Sequence, residues 1–220
     1  MATALQICNS ALIRLGAKTI SALTGLTTKE YDLCVALYPR LRNTLLKSHT
    51  WAFAKVVDDA LTTVAADALT EVWSYKHTIP TAVPVGKILA FSDADDVACN
   101  YEVVGAYIFS NESDPRLRYV RTYTAVDDGV TFPDDFGEAL ASILAANMCV
   151  SLTQNQSLRQ TYLLEYKEAI AQARYNGIIE NYVFKVGDSI DWIAAHGGMS
   201  GPLDPTERHT GGEEALLLEP

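Results

Sequence analysis

Four adjacent pairs of aspartates are the residues whose type and spacing could do chemistry. They are Asp58–Asp59, Asp95–Asp96, Asp127–Asp128 and Asp134–Asp135. Two carboxylates that face one glycosidic bond can act as general acid and general base. Side chains adjacent in sequence usually point apart, however, and aspartate is favoured at turns and helix starts because it bonds to nearby backbone N–H groups. We therefore interpret the pairs as local structural features.

Histidine and cysteine show no spacing typical of a metal site. The chain contains His49, His77, His196 and His209, and Cys8, Cys34, Cys99 and Cys149. No histidine stands three or four residues from another or from a cysteine, as zinc ligands often do. The cysteines predict reduced, buried thiols, with a disulfide or a metal site as the alternatives. We expect no metal and no cofactor.

One segment superficially resembles a nucleophile elbow, the turn that exposes the serine of many hydrolases. It is GGMSG at residues 197–201. Its glycine spacing does not match GxSxG, and no predicted strand leads into a helix there, so a turn or hinge is favoured. The sequence also contains no P-loop and no GxGxxG. We predict that the chain has no catalytic residues and is not an enzyme.

Basic residues are grouped in two short segments, which we predict to form an interface. Arg40 and Arg42 fall in a predicted helix, and Arg116, Arg118 and Arg121 fall in a predicted strand. Nucleic-acid binding would require a continuous basic stripe or interleaved aromatic residues. A solvated face is the other interpretation. Because arginine suits bidentate ion pairs, and the chain is rich in acids, we favour pairing between subunits.

Composition predicts a globular protein with an acidic surface. The 220 residues are 49% hydrophobic, with a formal net charge of −10. This length can bury one sizeable core. The net charge excludes a broad basic surface for DNA, although a like-charged wall would let a duplex pass without adhering. No secretion signal precedes the first helix and no apolar run approaches the roughly 20 residues that span a bilayer, so we expect a soluble protein made in the cytoplasm.

Helical periodicity occurs before and after a strand-rich middle. Apolar spacing predicts a helix over 3–15 that ends at Gly16. Thr27 and Glu30 predict the capping box of a second helix over about 29–48.

Two further helices are predicted near the other end of the chain. Asp135 and Glu138 predict the cap of the third helix, and Ser157 that of the fourth. We expect the fourth helix to end at Asn176–Gly177.

Between the helix pairs, the sequence has the composition of strands. Short segments rich in β-branched and aromatic residues are separated by turn residues. They are WAFAKVVDD, VWSYKHTIP, VGKILAF, NYEVVGAYIFS and RLRYVRTY. In RLRYVRTY, side chains alternate between two faces, with Leu117 and Tyr119 on one and Val120 on the other. In NYEVVGAYIFS, Gly105 indicates a hairpin turn. We expect a small antiparallel sheet or open barrel.

The predicted fold class is α+β, a bundle of about four helices with an inserted small antiparallel β lobe and an extended C-terminal arm. We predict a single domain over 1–182, with a helical core at 3–48 and 133–177 and a β-rich insert at 51–124. We predict that residues 183–220 form a tail that is disordered or docks on another subunit. The DWI segment of this tail adds Trp192 to the predicted interface.

Several segments also match a known order. The opening ALQICNSALIRLGAKTISALT is followed by YDLCVALYPRLRNTLLKSHTWAFA, VWSYKHTIP, NYEVVGAYIFSNE and LRYVRTYT, and then by FPDDFGEALASILAANMCVSLTQNQSLRQTYLLEYKEAIAQAR. The specific residues are Tyr38, Pro39, Arg40, Arg42, His49, Trp51, Phe53, Ala54, Trp73, Tyr75 and Pro80. Over roughly 3–182 the chain resembles the tail tubular protein A and head-to-tail adaptor family of short-tailed bacteriophages. Thr50 and Ala52 depart from the Pro and Asn that are frequent in the family.

The resemblance implies a structural protein of the virion tail, made in the host cytoplasm. Twelve copies would form a ring between the portal protein and the tail nozzle. DNA would leave the capsid through the lumen without specific binding. The C-terminal tail would be an arm that docks on the portal. The resemblance implies no cofactor and no membrane.

Two other function classes stay open. The first is a tail-associated enzyme that degrades polysaccharide, for which the carboxylates and aromatics of the strand-rich region are the only support. A glycan-release assay discriminates it from a structural protein. The second is a DNA-binding terminator subunit, which would show the steep salt dependence of phosphate contacts.

Overall fold

The structure, a computed structural model, describes residues 1–65, 72–81, 83–126 and 129–181. These residues contain four α-helices, one short 3-10 helix (Ala52–Ala54) and nine strands. The helices are α1 (Ala4–Arg14), α2 (Lys29–Ser48), α3 (Asp134–Thr153) and α4 (Gln156–Asn181). The strands are β1 (Ala2–Thr3), β2 (Lys55–Asp58), β3 (Thr63–Ala65), β4 (Tyr75–Thr78), β5 (Val85–Ser92), β6 (Tyr101–Val104), β7 (Tyr107–Ser110), β8 (Arg116–Arg121) and β9 (Thr131–Phe132). The mixed α+β class is confirmed.

The first two helices begin at threonines. Thr3 caps α1 through a capping box with Gln6, in which each side chain accepts a hydrogen bond from the other's backbone N–H. Thr28 caps α2, because its Oγ1 accepts from the Tyr31 N–H at 3.3 Å. The prediction of Thr27 as the cap was therefore wrong by one residue, since two adjacent threonines offer the same hydroxyl.

The caps of the last two helices also differ from the prediction. Asn155 caps α4, since its Oδ1 accepts from the N–H groups of Ser157 and Leu158. Pro133 precedes α3 without a side-chain cap. Asp135 instead lies in the first turn, where its charge favours the positive helix end.

The fourth helix continues through the predicted stop at Gly177. A Cβ at Gly177 would lie 3.6 Å from Cε3 of Trp51 and 3.7 Å from Nε2 of His49. Glycine in a helix costs about 1 kcal/mol relative to alanine. These are ordinary van der Waals distances, so Gly177 lies inside α4 against the start of the β insert and does not end the helix.

The strands form three antiparallel sheets, in the orders β1-β9, β2-β8-β5 and β3-β4-β7-β6. The expectation of one small lobe was wrong, because the sheet content is larger. One cause is the pair formed by β1 and β9, in which Ala2 lies opposite Phe132, outside the 51–124 insert. The hairpin of β6 and β7 turns at Gly105, which has φ +62°, as predicted.

Two clusters of buried apolar side chains are joined by β8. The larger cluster contains side chains from all four helices, together with Val120 of β8. The smaller one contains Phe91, Ile108, Leu117 and Tyr119. Because β5, β7 and β8 all contribute to the smaller cluster, the two larger sheets share one core. The alternation predicted for β8 is confirmed, with opposite faces entering different clusters.

Helix α3 has eleven buried residues among its twenty. By length and composition it could cross a membrane, contrary to the expectation that no run approaches that length. However, 61% of its apolar window is buried inside the structure, mostly against other helices. Such burial is typical of the central helix of a bundle.

Three of the four cysteines are buried and all four are free. This agrees with the predicted reduced thiols. Contact with the Cys34 thiol, together with burial, raises the pKa of Cys8. The Cys8 thiol is therefore protonated and unreactive at neutral pH.

His77 links three strands inside the smaller core. Its Nδ1 lies 2.8 Å from Oγ1 of Thr63 on β3, and its Nε2 lies 2.9 Å from Oγ of Ser110 on β7. Its ring also packs against Phe91 at 5.7 Å between centroids. Burial lowers the pKa of His77 below its ordinary value of 6.5, so the network is built for a neutral imidazole.

We predict that protonation of His77 destabilises the fold in mild acid. As pH falls below about 6.5, His77 of the unfolded chain takes up the proton first. The contribution of His77 to stability is therefore constant above this pH and decreases below it. His77→Gln should cost about 1–2 kcal/mol at pH 8 and flatten the loss between pH 7 and 5.5. Urea unfolding at each pH measures both. An unchanged pH slope in the variant would contradict the assignment.

Candidate interaction surfaces

Arg42 was predicted to lie at a subunit interface, and the structure corrects this. The side chain is 0% exposed. Its Nη2 donates to the backbone carbonyls of Tyr123 at 2.9 Å and Ala125 at 3.0 Å. Its guanidinium carbon lies 5.4 Å and 5.0 Å from the ring centroids of Tyr38 and Tyr123. Arg42 therefore connects α2 to the chain that leaves the β insert.

Arg116 and Arg118 bind an acid of their own chain. Arg118 Nη2 lies 2.7 Å from Oδ1 of Asp96, and Arg116 Nη1 lies 3.6 Å from the same oxygen. Asp96 has φ +63° in the turn after β5. The three side chains are all partly exposed, so the pairs contribute little stability. The structure shows pairing within the subunit; pairing between subunits stays a prediction.

The remaining predicted interface residues are dispersed. Arg40 is exposed on α2, and the half-buried Arg121 packs its guanidinium 5.1 Å from the Tyr123 ring. Trp192 and the predicted arm at 183–220 lie outside the described residues. So do Asp127–Asp128, His196, His209 and the GGMSG segment. The structure thus brings Arg42 and Arg121 to one tyrosine ring and Arg116 and Arg118 to one carboxylate, but it does not form one exposed patch from them.

Ser110 and His77 have the separation of a nucleophile and its base, but a substrate could not reach either side chain. Ser110 is 0% exposed, and its Oγ also accepts from the Glu112 N–H at 3.2 Å. The other nitrogen of His77 faces a hydroxyl instead of a carboxylate. A nucleophile has to reach its substrate. We interpret this pair as a buried hydrogen-bond network.

A polar cleft between α1, α3 and α4 contains three glutamates. Its volume is about 640 Å³, and it is lined by Arg14, Glu138, Ser142, Tyr162, Glu165, Glu168 and Ala169. Arg14 donates to Ser142 Oγ at 2.7 Å and to Glu165 at 3.1 Å, and also pairs with Glu138. Arg14 therefore cross-links the bundle and compensates two of the carboxylates.

The described aspartate pairs occupy local turns or a helix start, as predicted. Asp58 accepts from the N–H of Ala60 at 3.1 Å, and Asp95–Asp96 lie in the turn after β5. Asp134–Asp135 form the first turn of α3. Among the described residues no group of three or more His, Cys, Asp or Glu side chains is arranged to hold a metal ion.

Strand β6 presents an apolar, solvent-exposed edge. In the described residues it has β7 on one side and no strand on the other. All four of its residues are exposed, and Tyr101, Val103 and Val104 are apolar. An exposed edge strand offers unpaired backbone groups to another strand. We call residues 101–104 the edge surface.

A second apolar surface lies on α4. Its exposed large apolar side chains beyond the first turn are Leu164, Tyr175, Ile178 and Ile179. The last three fall within two turns near the end of the helix, where they present a common patch. The α4 surface is the exposed side of a helix whose other side packs into the larger core. The edge surface lies on the four-stranded sheet.

Sequence reasoning missed both surfaces, for different reasons. The segment NYEVVGAYIFS indicated a hairpin, but not that β6 would be the outer strand, since sheet order depends on distant pairing. On α4, the apolar positions 175, 178 and 179 follow a face different from the buried Ile170 and Ala173. That second stripe was visible in the sequence.

We predict that Arg42 is required for stability and Arg40 is not. Arg42→Met should cost about 2–4 kcal/mol of unfolding free energy, because it leaves the buried carbonyls of Tyr123 and Ala125 with fewer donors. Arg40→Met, an exposed change on the same helix, should stay within about 0.5 kcal/mol. Urea unfolding measures both. Equal losses in the two variants would refute the buried role of Arg42.

Comparison of the chain with protein-family models and with curated proteins finds no match. The features that bear on function are therefore the fold, the surfaces and the succession of sequence segments. The geometry provides two apolar surfaces on different elements.

Proposed function

We propose that this chain is a non-enzymatic structural subunit that assembles head to tail into a ring, as the head-to-tail adaptor or tail tubular protein of a short-tailed bacteriophage. The ordered succession of segments over roughly 3–182 supports the family. The mixed fold, with helices on both sides of a strand-rich insert, agrees with it.

The observation on which the proposal chiefly depends is the pair of separate apolar surfaces. Head-to-tail contacts join two different patches, and they close into a ring when the rotation between copies divides a full turn. The edge surface, residues 101–104, is one such patch, and the α4 surface is another. A free apolar edge strand invites uncontrolled pairing unless a partner covers it.

In the proposed assembly the subunit acts through shape and adhesion. The helices would form the wall of the ring, and the sheets would contact neighbouring copies. Twelve copies, the number implied by the resemblance, would lie between portal and nozzle. Residues 183–220 would dock on the portal. The net charge of −10 would allow DNA to move through the lumen without adhering.

The rival proposal, a polysaccharide-degrading enzyme, gains no support from the described carboxylates. Two glutamates of the polar cleft are paired with Arg14, and the three described aspartate pairs lie in turns or at a helix start. General acid catalysis needs a carboxyl group placed against the substrate bond. Glycan release by the purified chain would favour this rival.

We predict that a charge in the edge surface prevents assembly. Val103 is 46% exposed, so Val103→Lys should fold normally, yet it should place an unpaired charge in the covered interface. Mass photometry should show the wild-type chain in closed oligomers, alone or with portal, and the variant mostly as monomers.

The matched control is Val150→Lys, because Val150 on α3 is exposed to a similar extent, 42%. This variant should assemble like the wild type. If Val103→Lys also assembled normally, the edge surface would not be an interface. If the wild-type chain stayed monomeric with portal present, the ring proposal itself would fail.

A further inference from the structure

Four nitrogen-bearing side chains lie near the junction of the end of α2, the start of β5 and the second half of α4. Lys47 and His49 lie at the end of α2, Lys87 lies on β5 and Arg174 lies on α4. Arg174 Nη2 is 3.4 Å from Oγ of Ser48. We call Lys47, His49, Lys87 and Arg174 the basic cluster.

Two further distances and one electrostatic effect place the other members near this junction. A Cβ built at Gly86 would lie 3.4 Å from Cγ of Lys47, so the Lys47 stem packs against the start of β5. The charges of Arg174 and Lys87 both act on His49. His49 Nε2 lies 3.7 Å from the Cβ position of Gly177, one turn after Arg174 on α4. The basic cluster is thus built by residues distant in sequence.

Two buried nitrogens of the basic cluster have no hydrogen-bond partner among the described residues. They are Nε2 of His49 and Nε of Arg174. More than nine in ten buried polar groups are satisfied in native structures, and each exception requires an explanation, of which a bound water or ion is one. Arginine cannot lose its proton, so Arg174 Nε–H is a donor that lacks an acceptor.

Within the described residues, the positive charges of the basic cluster have no ion-pair partner. No described carboxylate forms an ion pair with Lys47, Lys87 or Arg174. Burial, followed by the charges of Arg174 and Lys87, lowers the pKa of His49. Lys47 alone is explained by the negative end of the α2 dipole, but Lys87 and Arg174 belong to other elements.

We propose that the basic cluster is a binding site for a phosphate group. Three full positive charges and two unsatisfied nitrogens match an oxyanion with charge near −2 better than a single carboxylate. The site is independent of the proposed ring function, since it requires only the folded subunit. Its phosphate could be free inorganic phosphate or part of a DNA backbone.

The test uses the full chain and inorganic phosphate. Phosphate is titrated at low salt, and the imidazole signals of His49 are followed by ¹⁵N NMR with acetate as the carboxylate control. Saturable shifts with phosphate are expected, together with a higher pKa of His49, because an anion favours its protonated form. A short DNA duplex, added as a competitor, distinguishes the two phosphate sources.

Charge-matched variants localise the site. Arg174→Gln and Lys87→Gln should each weaken phosphate binding, the first by about tenfold, the effect of losing one charge-assisted hydrogen bond. Arg159→Gln, about 22 Å away on the same helix, should change it less than about twofold. Thermal unfolding verifies that Arg174→Gln folds, and Lys87→Gln, an exposed change, provides the test if it does not.

Several outcomes would overturn the proposal. They are the absence of saturable phosphate binding, equal binding of acetate, and equal losses in Arg159→Gln and Arg174→Gln. None of them bears on ring formation, which the edge-surface variants test separately.

Discussion

Both ends of the β insert are fixed to one helix, and the rest of the described structure depends on this attachment. At the entrance, Trp51 Nε1 donates to the Leu45 carbonyl at 3.0 Å. At the exit, the buried Arg42 and its neighbour Asn43 hold the carbonyl of Tyr123. The buried charge of Arg42 is stabilised by two aromatic rings. Its N–H groups also provide donors for the backbone carbonyls of an irregular segment, which would otherwise be unsatisfied. Without it, α2 would not define where the strands return to the helices.

This attachment explains how one chain displays two distinct surfaces. Strand β8 adds Val120 to the helical core and Leu117 to the core shared by the sheets, so neither core is complete without the other element. The edge surface and the α4 surface are therefore held by one continuous packed framework. A rigid framework fixes the angle between two patches, and that angle decides whether head-to-tail contacts close into a ring or continue as a filament.

Much of the fold could be predicted from local pattern. The bounds of α2, the β6–β7 hairpin and the alternation along β8 follow from periodicity and glycine position, which are properties of neighbouring residues.

The rest of the fold depends on contacts between residues distant in sequence. The β1–β9 pair joins residues about 130 positions apart and is too short to leave a pattern. The burial of Arg42 depends on carbonyls 81 and 83 residues away. Gly177 lies inside α4 next to Trp51, a residue far away in sequence. For the candidate interface, the sequence pointed to arginine residues. The exposed edge of β6 could not be predicted, because it depends on the order of the strands in the sheet.

The central claim is that copies of this subunit close around a channel. Electron microscopy of the purified full-length chain, imaged alone and with portal particles, tests it most directly. The account predicts annular particles of uniform subunit number with a central opening. Single globular particles under both conditions, or open filaments of indefinite length, would contradict it.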